Sequence, residues 1–107
     1  MKLILAIVSN DDASCVSKAL NKERFQVTKL ATTGGFLSLG NTTLICGCED
    51  NKVDDAIKII SSESKRRTEI SSTPSMYDAG RIMSVPVEVT VGGATIFVLD
   101  VDKFVKV

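Results

Sequence analysis

Three features of the chain predict an α+β fold. Leu3–Val8 is a continuous apolar run, which suits a strand buried on both faces. Two segments, Asp11–Lys22 and the stretch after Asp50, carry apolar residues at helical spacing. Val87, Val89 and Val91 alternate with Glu88 and Thr90, the period of a strand with one buried face.

Each element follows from its own residues. Met1–Ser9 holds one lysine and an apolar run too short to span a membrane. It is also shorter than the roughly 7–15 apolar residues of a signal peptide, so it reads as a first, buried strand. Ser9, Asn10 and Asp11 are good helix caps, and Ala13, Val16, Ala19 and Leu20 recur at helical spacing, so a helix is expected over Asp11–Lys22. Phe25–Thr32 reads as the second strand and Thr42–Glu49 as the third. Asp50 is expected to cap a second helix, with Val53, Ala56, Ile57 and Ile60 facing inward and Lys52, Asp54, Asp55 and Lys58 facing water. That helix fades in the polar stretch Ser61–Thr68.

Glu69–Val85, with Ser71, Ser72, Pro74, Ser75 and Gly80, reads as a second long loop with a short strand at its start. Pro86–Val91 and Ala94–Leu99 flank Gly92-Gly93 and read as a hairpin. The tail Asp100–Val107 is expected to add a turn and an edge strand. The order is β-α-β-β-α-β with long loops and an extra terminal strand, the ferredoxin-like arrangement of one antiparallel sheet with both helices on one face. Apolar residues on both faces of several strands require cover for the second face, which neighbouring subunits would supply.

The 107 residues fit one domain spanning 1–107. Thirteen basic and 13 acidic residues cancel, which argues against nucleic-acid or membrane binding driven by charge. Tryptophan is absent and there is one tyrosine, so no aromatic-rich basic patch exists. Three cysteines and no export signal point to a reducing cytoplasm.

The stretch Thr28–Asp50 carries the most unusual pattern. Between the second and third strands lie Gly34, Gly35 and Gly40, interleaved with Phe36, Leu37 and Leu39. A connection of this kind is usually polar, so a large aromatic among glycines looks built to cover or contact something. Phe36 and Leu37 can fold back on the core or wall a planar ligand; the flanking glycines favour the second. Gly35 to Thr42 has the glycine spacing of a phosphate loop, but Asn41 stands where the lysine belongs and a strand follows instead of a helix. Asn41, Thr42 and Thr43 have the chemistry to hydrogen-bond a base or phosphate, while Asn41 equally suits simple completion of a turn. Thr28, Gly47 and Phe97 have ordinary strand readings on pattern alone.

Other chemistry is thin. There is no histidine, so no His-based triad, base or metal ligand exists. Cys46 and Cys48 point to one strand face, and the preferred reading is two small core residues, since a zinc site needs about four ligands and Cys15 is the only other thiol. Asp54, Asp55, Lys65, Arg66 and Arg67 read as solvated helix surface, with the basic trio also able to assist an anion.

TKLATTGGFL, GNTT and PVEVTVGGATIFVL resemble the PII-like cyclic-di-AMP receptors of Gram-positive bacteria, and the similarity runs nearly end to end. The resemblance implies a ferredoxin-like subunit in a PII-like homotrimer, with ligand in each cleft between subunits. It implies a cytoplasmic signal transducer with no catalysis and no cofactor beyond cyclic-di-AMP as ligand, and loops that the ligand orders to present a surface to an unidentified protein partner. Position by position, Thr28 would bind near the base or phosphate. Gly35, Phe36 and Leu37 would line the adenine site, and Asn41 would hydrogen-bond an adenine edge. Gly47 would let the ligand lie against the third strand, and Phe97 would add an apolar wall.

The chain departs from the family pattern at three places. Gln26 stands where many members carry arginine, and losing a charged hydrogen bond of roughly 1.5–3 kcal/mol would cost about tenfold or more in affinity. The second loop, PSMYDAGRIMSVPVEV, replaces a PMGG-like stretch and a YPVEV entry. Lys106 replaces a near-terminal glutamine and would bring a positive charge toward the phosphates. Two alternatives remain beside the sensor reading: a PII-like trimer that binds another adenine nucleotide or has lost its ligand, and a small enzyme of ferredoxin-like fold. The enzyme would need a clustered acid, base or phosphate-binding arginine in one loop, and the sequence holds none.

Overall fold

The computed structural model describes residues 1–30, 40–78 and 81–107, with the backbone alone at 71–78 and 81–87. The elements are β1 (Lys2–Ser9), α1 (Asn10–Lys22), β2 (Val27–Leu30), β3 (Asn41–Cys48), a 3-10 turn (Asp50–Lys52), α2 (Val53–Glu63), β4 (Arg67–Asp78), β5 (Arg81–Val91) and β6 (Ala94–Asp100). Four strands form an antiparallel sheet in the order β2-β3-β1-β6, and β4 pairs with β5 in a separate two-stranded sheet. The four-stranded order and the two helices are those of the ferredoxin-like fold.

β1 earns its central place through its apolar run. Ile4, Ala6 and Val8 are buried under the helices, with Leu44 and Cys46 beside them on β3. From α1 come Ala13, Val16 and Leu20, from α2 Ala56 and Ile60, and Phe25 and Cys48 complete the core. Burying each large side chain contributes about 1.5–3 kcal/mol, so this layer supplies most of the stability.

Helix α1 starts where its caps say it should. The Ser9 hydroxyl accepts from the Asp11 amide at 3.2 Å, and Asp11 and Asp12 occupy the first turn, where the helix dipole favours anions. The helix ends in paired hydrogen bonds: the Phe25 amide donates to the Leu20 carbonyl and the Arg24 amide to that of Asn21. Arg24 takes the left-handed conformation, φ 68°, that glycine usually occupies there.

Several expectations need correction. Asp50 caps neither the 3-10 turn nor α2, whose flanking residues make no side-chain cap; its carboxylate instead meets the Met1 amino group at 2.8 Å, which lowers its pKa. The expected second loop is a long hairpin, β4–β5, with Arg67 opposite Val91 and Glu69 opposite Val89. Serines and one proline hid β4, because alternation there is polar and lacks an apolar face, whereas the Val87, Val89 and Val91 end of β5 was legible. Gly92-Gly93 is not a hairpin turn, since β5 pairs with β4 and β6 with β1. Ala94–Asp100, not Pro86–Val91, is therefore the fourth strand of the main sheet. The tail adds no strand: past Asp100 the Val101 amide reaches the Met1 carbonyl at 3.2 Å, and 102–107 have no regular structure.

The glycine pair has a different task. Gly92 has φ +87°, and a Cβ there would collide with the Lys65 carbonyl oxygen and lie 2.8 Å from Arg67 Nη1. The next residue, Gly93, has φ +82° and donates its amide to the Ser64 carbonyl. The pair lets the chain pass against the end of α2 as it moves from one sheet to the other. Beside it Arg67 makes a two-pronged pair with Asp12, at 2.8 Å and 3.3 Å, and reaches Glu69 at 3.2 Å. These bonds hold the Arg67 pKa well above its usual value. Arg67 is thus neither helical nor solvated freely, because Asp12 is buried and requires a cation.

Candidate functional site

The two faces of the main sheet differ. Directly opposed residues of an antiparallel pair project to the same side. Thr28 opposes Ile45, Ile45 opposes Leu5, and Leu5 opposes Phe97, so one row crosses all four strands. Gly47, Leu3 and Leu99 form the neighbouring row. These residues lie on the face away from the helices, where Phe97 is 51% exposed and Leu99 44%. By the alternation of β3, Asn41 belongs to this same face.

Four of the seven sequence-derived site residues, Thr28, Asn41, Gly47 and Phe97, therefore share the open face. Gly35, Phe36 and Leu37 lie outside the described residues. The four are not gathered at one point. Thr28 is on one edge strand and Phe97 on the other, and three strand spacings separate them by roughly 14 Å. Gly47 sits at a cleft of about 410 Å³ that also takes in Gln26, Arg24, Phe25, Cys48 and Lys52. Arg24 and Lys52 thus place cations beside the neutral Gln26, while Glu23 and Glu49 line the same cleft.

The entry to β3 is held more tightly than its sequence announces. Gly40 has φ +73°, a conformation that favours glycine, and its carbonyl accepts from the Asn10 amide at 3.0 Å. The Thr42 hydroxyl donates to Asn10 Oδ1 at 2.6 Å. Thr42 is therefore committed to the protein, whereas Thr43 is buried on the open face with a hydroxyl that meets no partner among the described residues. A buried hydroxyl without a partner costs about 1–3 kcal/mol.

Sequence reasoning treated Asn10 only as a cap and Asp12 not at all. A polar residue in the first turn of a helix reads as capping, and nothing in the order of residues says that Gly40, Thr42 or Arg67 comes near.

The thiols behave as core. Cys46 and Cys48 are buried, and burial pushes the Cys46 thiol up to about 11 and the Cys48 thiol up from its usual value. Among the described residues no group of three or more Cys, Asp or Glu is placed to hold a metal ion. Among the same residues no helix is long and apolar enough to cross a membrane.

Comparison with known proteins agrees with this fold. A protein of unknown function from Pediococcus pentosaceus, solved by crystallography, is 40% identical and superposes with a TM-score of 0.75, covering 99% of this chain and 96% of that one. The family model described as cyclic-di-AMP receptor matches residues 1–107. The strand order, the glycine-rich entry to β3 and this match over the full length lead to one conclusion: the chain belongs to the cyclic-di-AMP receptor family.

Proposed function

We propose that this chain senses cyclic-di-AMP as a homotrimer, with ligand held in clefts between copies and the signal passed to a protein partner through its loops. The observation that carries the reading is the row across the sheet. Thr28 and Phe97 stand on opposite edge strands of one copy, so a single ligand touching both needs the β2 edge of one copy beside the β6 edge of another. The open face supports association as well, since Leu3, Leu5, Ile7, Phe97 and Leu99 give it an apolar surface that the helices do not cover. Burial of such a face between copies is favourable by about 25 cal/mol per Å².

In this reading Thr28, Asn41, Gly47 and Phe97, with Gly35, Phe36 and Leu37, contact the ligand. Asn41 reads an adenine edge, Gly47 admits the ligand to the surface of β3, and Phe97 packs on a base. The whole chain acts as a single domain in the cytoplasm. Binding shifts the population of loop conformations and performs no chemistry. Gln26 favours a second reading, in which the trimer binds another adenine nucleotide or none, because its own side chain is neutral where many family members carry arginine.

Calorimetric titration with cyclic-di-AMP, against cyclic-di-GMP and ATP, separates the two. The expected outcome is selective cyclic-di-AMP binding at one ligand per subunit. Selective heat with ATP would establish the second reading, and silence with all three would leave the family scaffold without this ligand.

A further inference from the structure

We infer that Asn10 is the positioning residue for Asn41, fixing the side chain that reads the adenine edge; this rests on the cyclic-di-AMP reading above. Asn10 grips both neighbours of Asn41. Its backbone amide donates to the Gly40 carbonyl at 3.0 Å, and its side-chain Oδ1 accepts from the Thr42 hydroxyl at 2.6 Å. Asn41 lies between these two anchors and is itself exposed. Gly40, at φ +73°, turns the chain just before it.

The strand period completes the arrangement. Thr42 lies on the helix side, opposite Val8, while Asn41 lies on the open side with Thr43 and Ile45. The grip is thus applied from behind the sheet, while Asn41 is exposed in front. Asn10 itself is fixed, because it begins α1 directly after the Ser9 cap. A surface amide at the start of a strand ordinarily samples several orientations, and reading one base edge requires one of them. Holding the backbone on both sides lowers the ordering cost that ligand binding would otherwise carry.

The acceptor is the informative atom. Asn10→Ala removes Oδ1 and leaves the backbone bond to Gly40. Thr42→Val removes the matching donor with little change of shape. Each is expected to weaken cyclic-di-AMP binding by about tenfold while the folded chain keeps its circular dichroism and loses only the modest stability of one hydrogen bond. Asn41→Ala is expected to lose more than either.

The deciding measurement is a double-mutant cycle by calorimetry. If Asn10 acts through Asn41, Asn10→Ala/Asn41→Ala binds as Asn41→Ala does alone. Losses that multiply would overturn the proposal, as would Asn10→Ala binding as tightly as wild type. Failure of wild type to bind cyclic-di-AMP is a separate result: it removes the reading on which the proposal rests and the proposal with it.

Discussion

The two faces of the four-stranded sheet are made of similar residues and have opposite fates. Toward the helices, Ile4, Ala6, Val8, Leu44 and Cys46 are at most 2% exposed. Away from them, Leu3, Leu5 and Ile7 of the same strand are only partly buried, and Phe97 and Leu99 are about half exposed. A period of two means that β1 could not be apolar throughout unless both sides were meant to be covered. One side is closed by α1 and α2. The other carries Thr28, Asn41, Gly47 and Phe97 and is not covered by either helix.

This contrast can be broken most forcefully at Ile4. Replacement by alanine opens a cavity in the closed layer and is expected to cost about 3 kcal/mol in chemical denaturation. A cost below about 1 kcal/mol would mean that the helices do not seal that face.

A pH series tests the same layer less severely. Burial pushes the Cys46 thiol up to about 11 from its ordinary value of 9.0, so the unfolded chain ionises first. Native protein then holds more protons between those values, and stability is present below about pH 9 and declines as pH rises toward 11. Cys46→Ala should flatten that decline, and an equal decline in the variant would assign it to other groups.

The smallest stability change is expected on the open side. Phe97→Ala removes a side chain already half in solvent and should shift unfolding by about 0.5–1 kcal/mol. In the proposed reading, where Phe97 packs on a base, the same change is expected to lower cyclic-di-AMP affinity by about tenfold. Large destabilisation with unaltered binding would reverse the roles given to the two faces.

Legibility followed the same division. The inward residues of α1 and α2 announced themselves by period and β1 by its unbroken apolar run, because a helix packed on a core must repeat its apolar positions and a central strand is apolar on both faces. The strand β4 did not, since Ser71, Ser72, Thr73 and Ser75 alternate without an apolar side and, among the described residues, it pairs with β5 alone. Gly92-Gly93 misled for a related reason: two glycines mark an unusual backbone but not its purpose, which here is passage past Lys65. Of the site, the glycine-rich approach to Asn41 was visible in composition, and Thr28, Gly47 and Phe97 were visible only through family resemblance.

The sequence by itself determined the α+β class, the strand that sits at the centre and the two helical faces that cover it, because these depend on spacing along one chain. Only the tertiary structure decided that Thr28, Ile45, Leu5 and Phe97 form one row, that Asn10 reaches the residues on either side of Asn41, and that Arg67 pairs with Asp12. Those contacts join residues far apart in sequence, and their strength depends on desolvation and geometry that exist only once the sheet and helices have closed on each other.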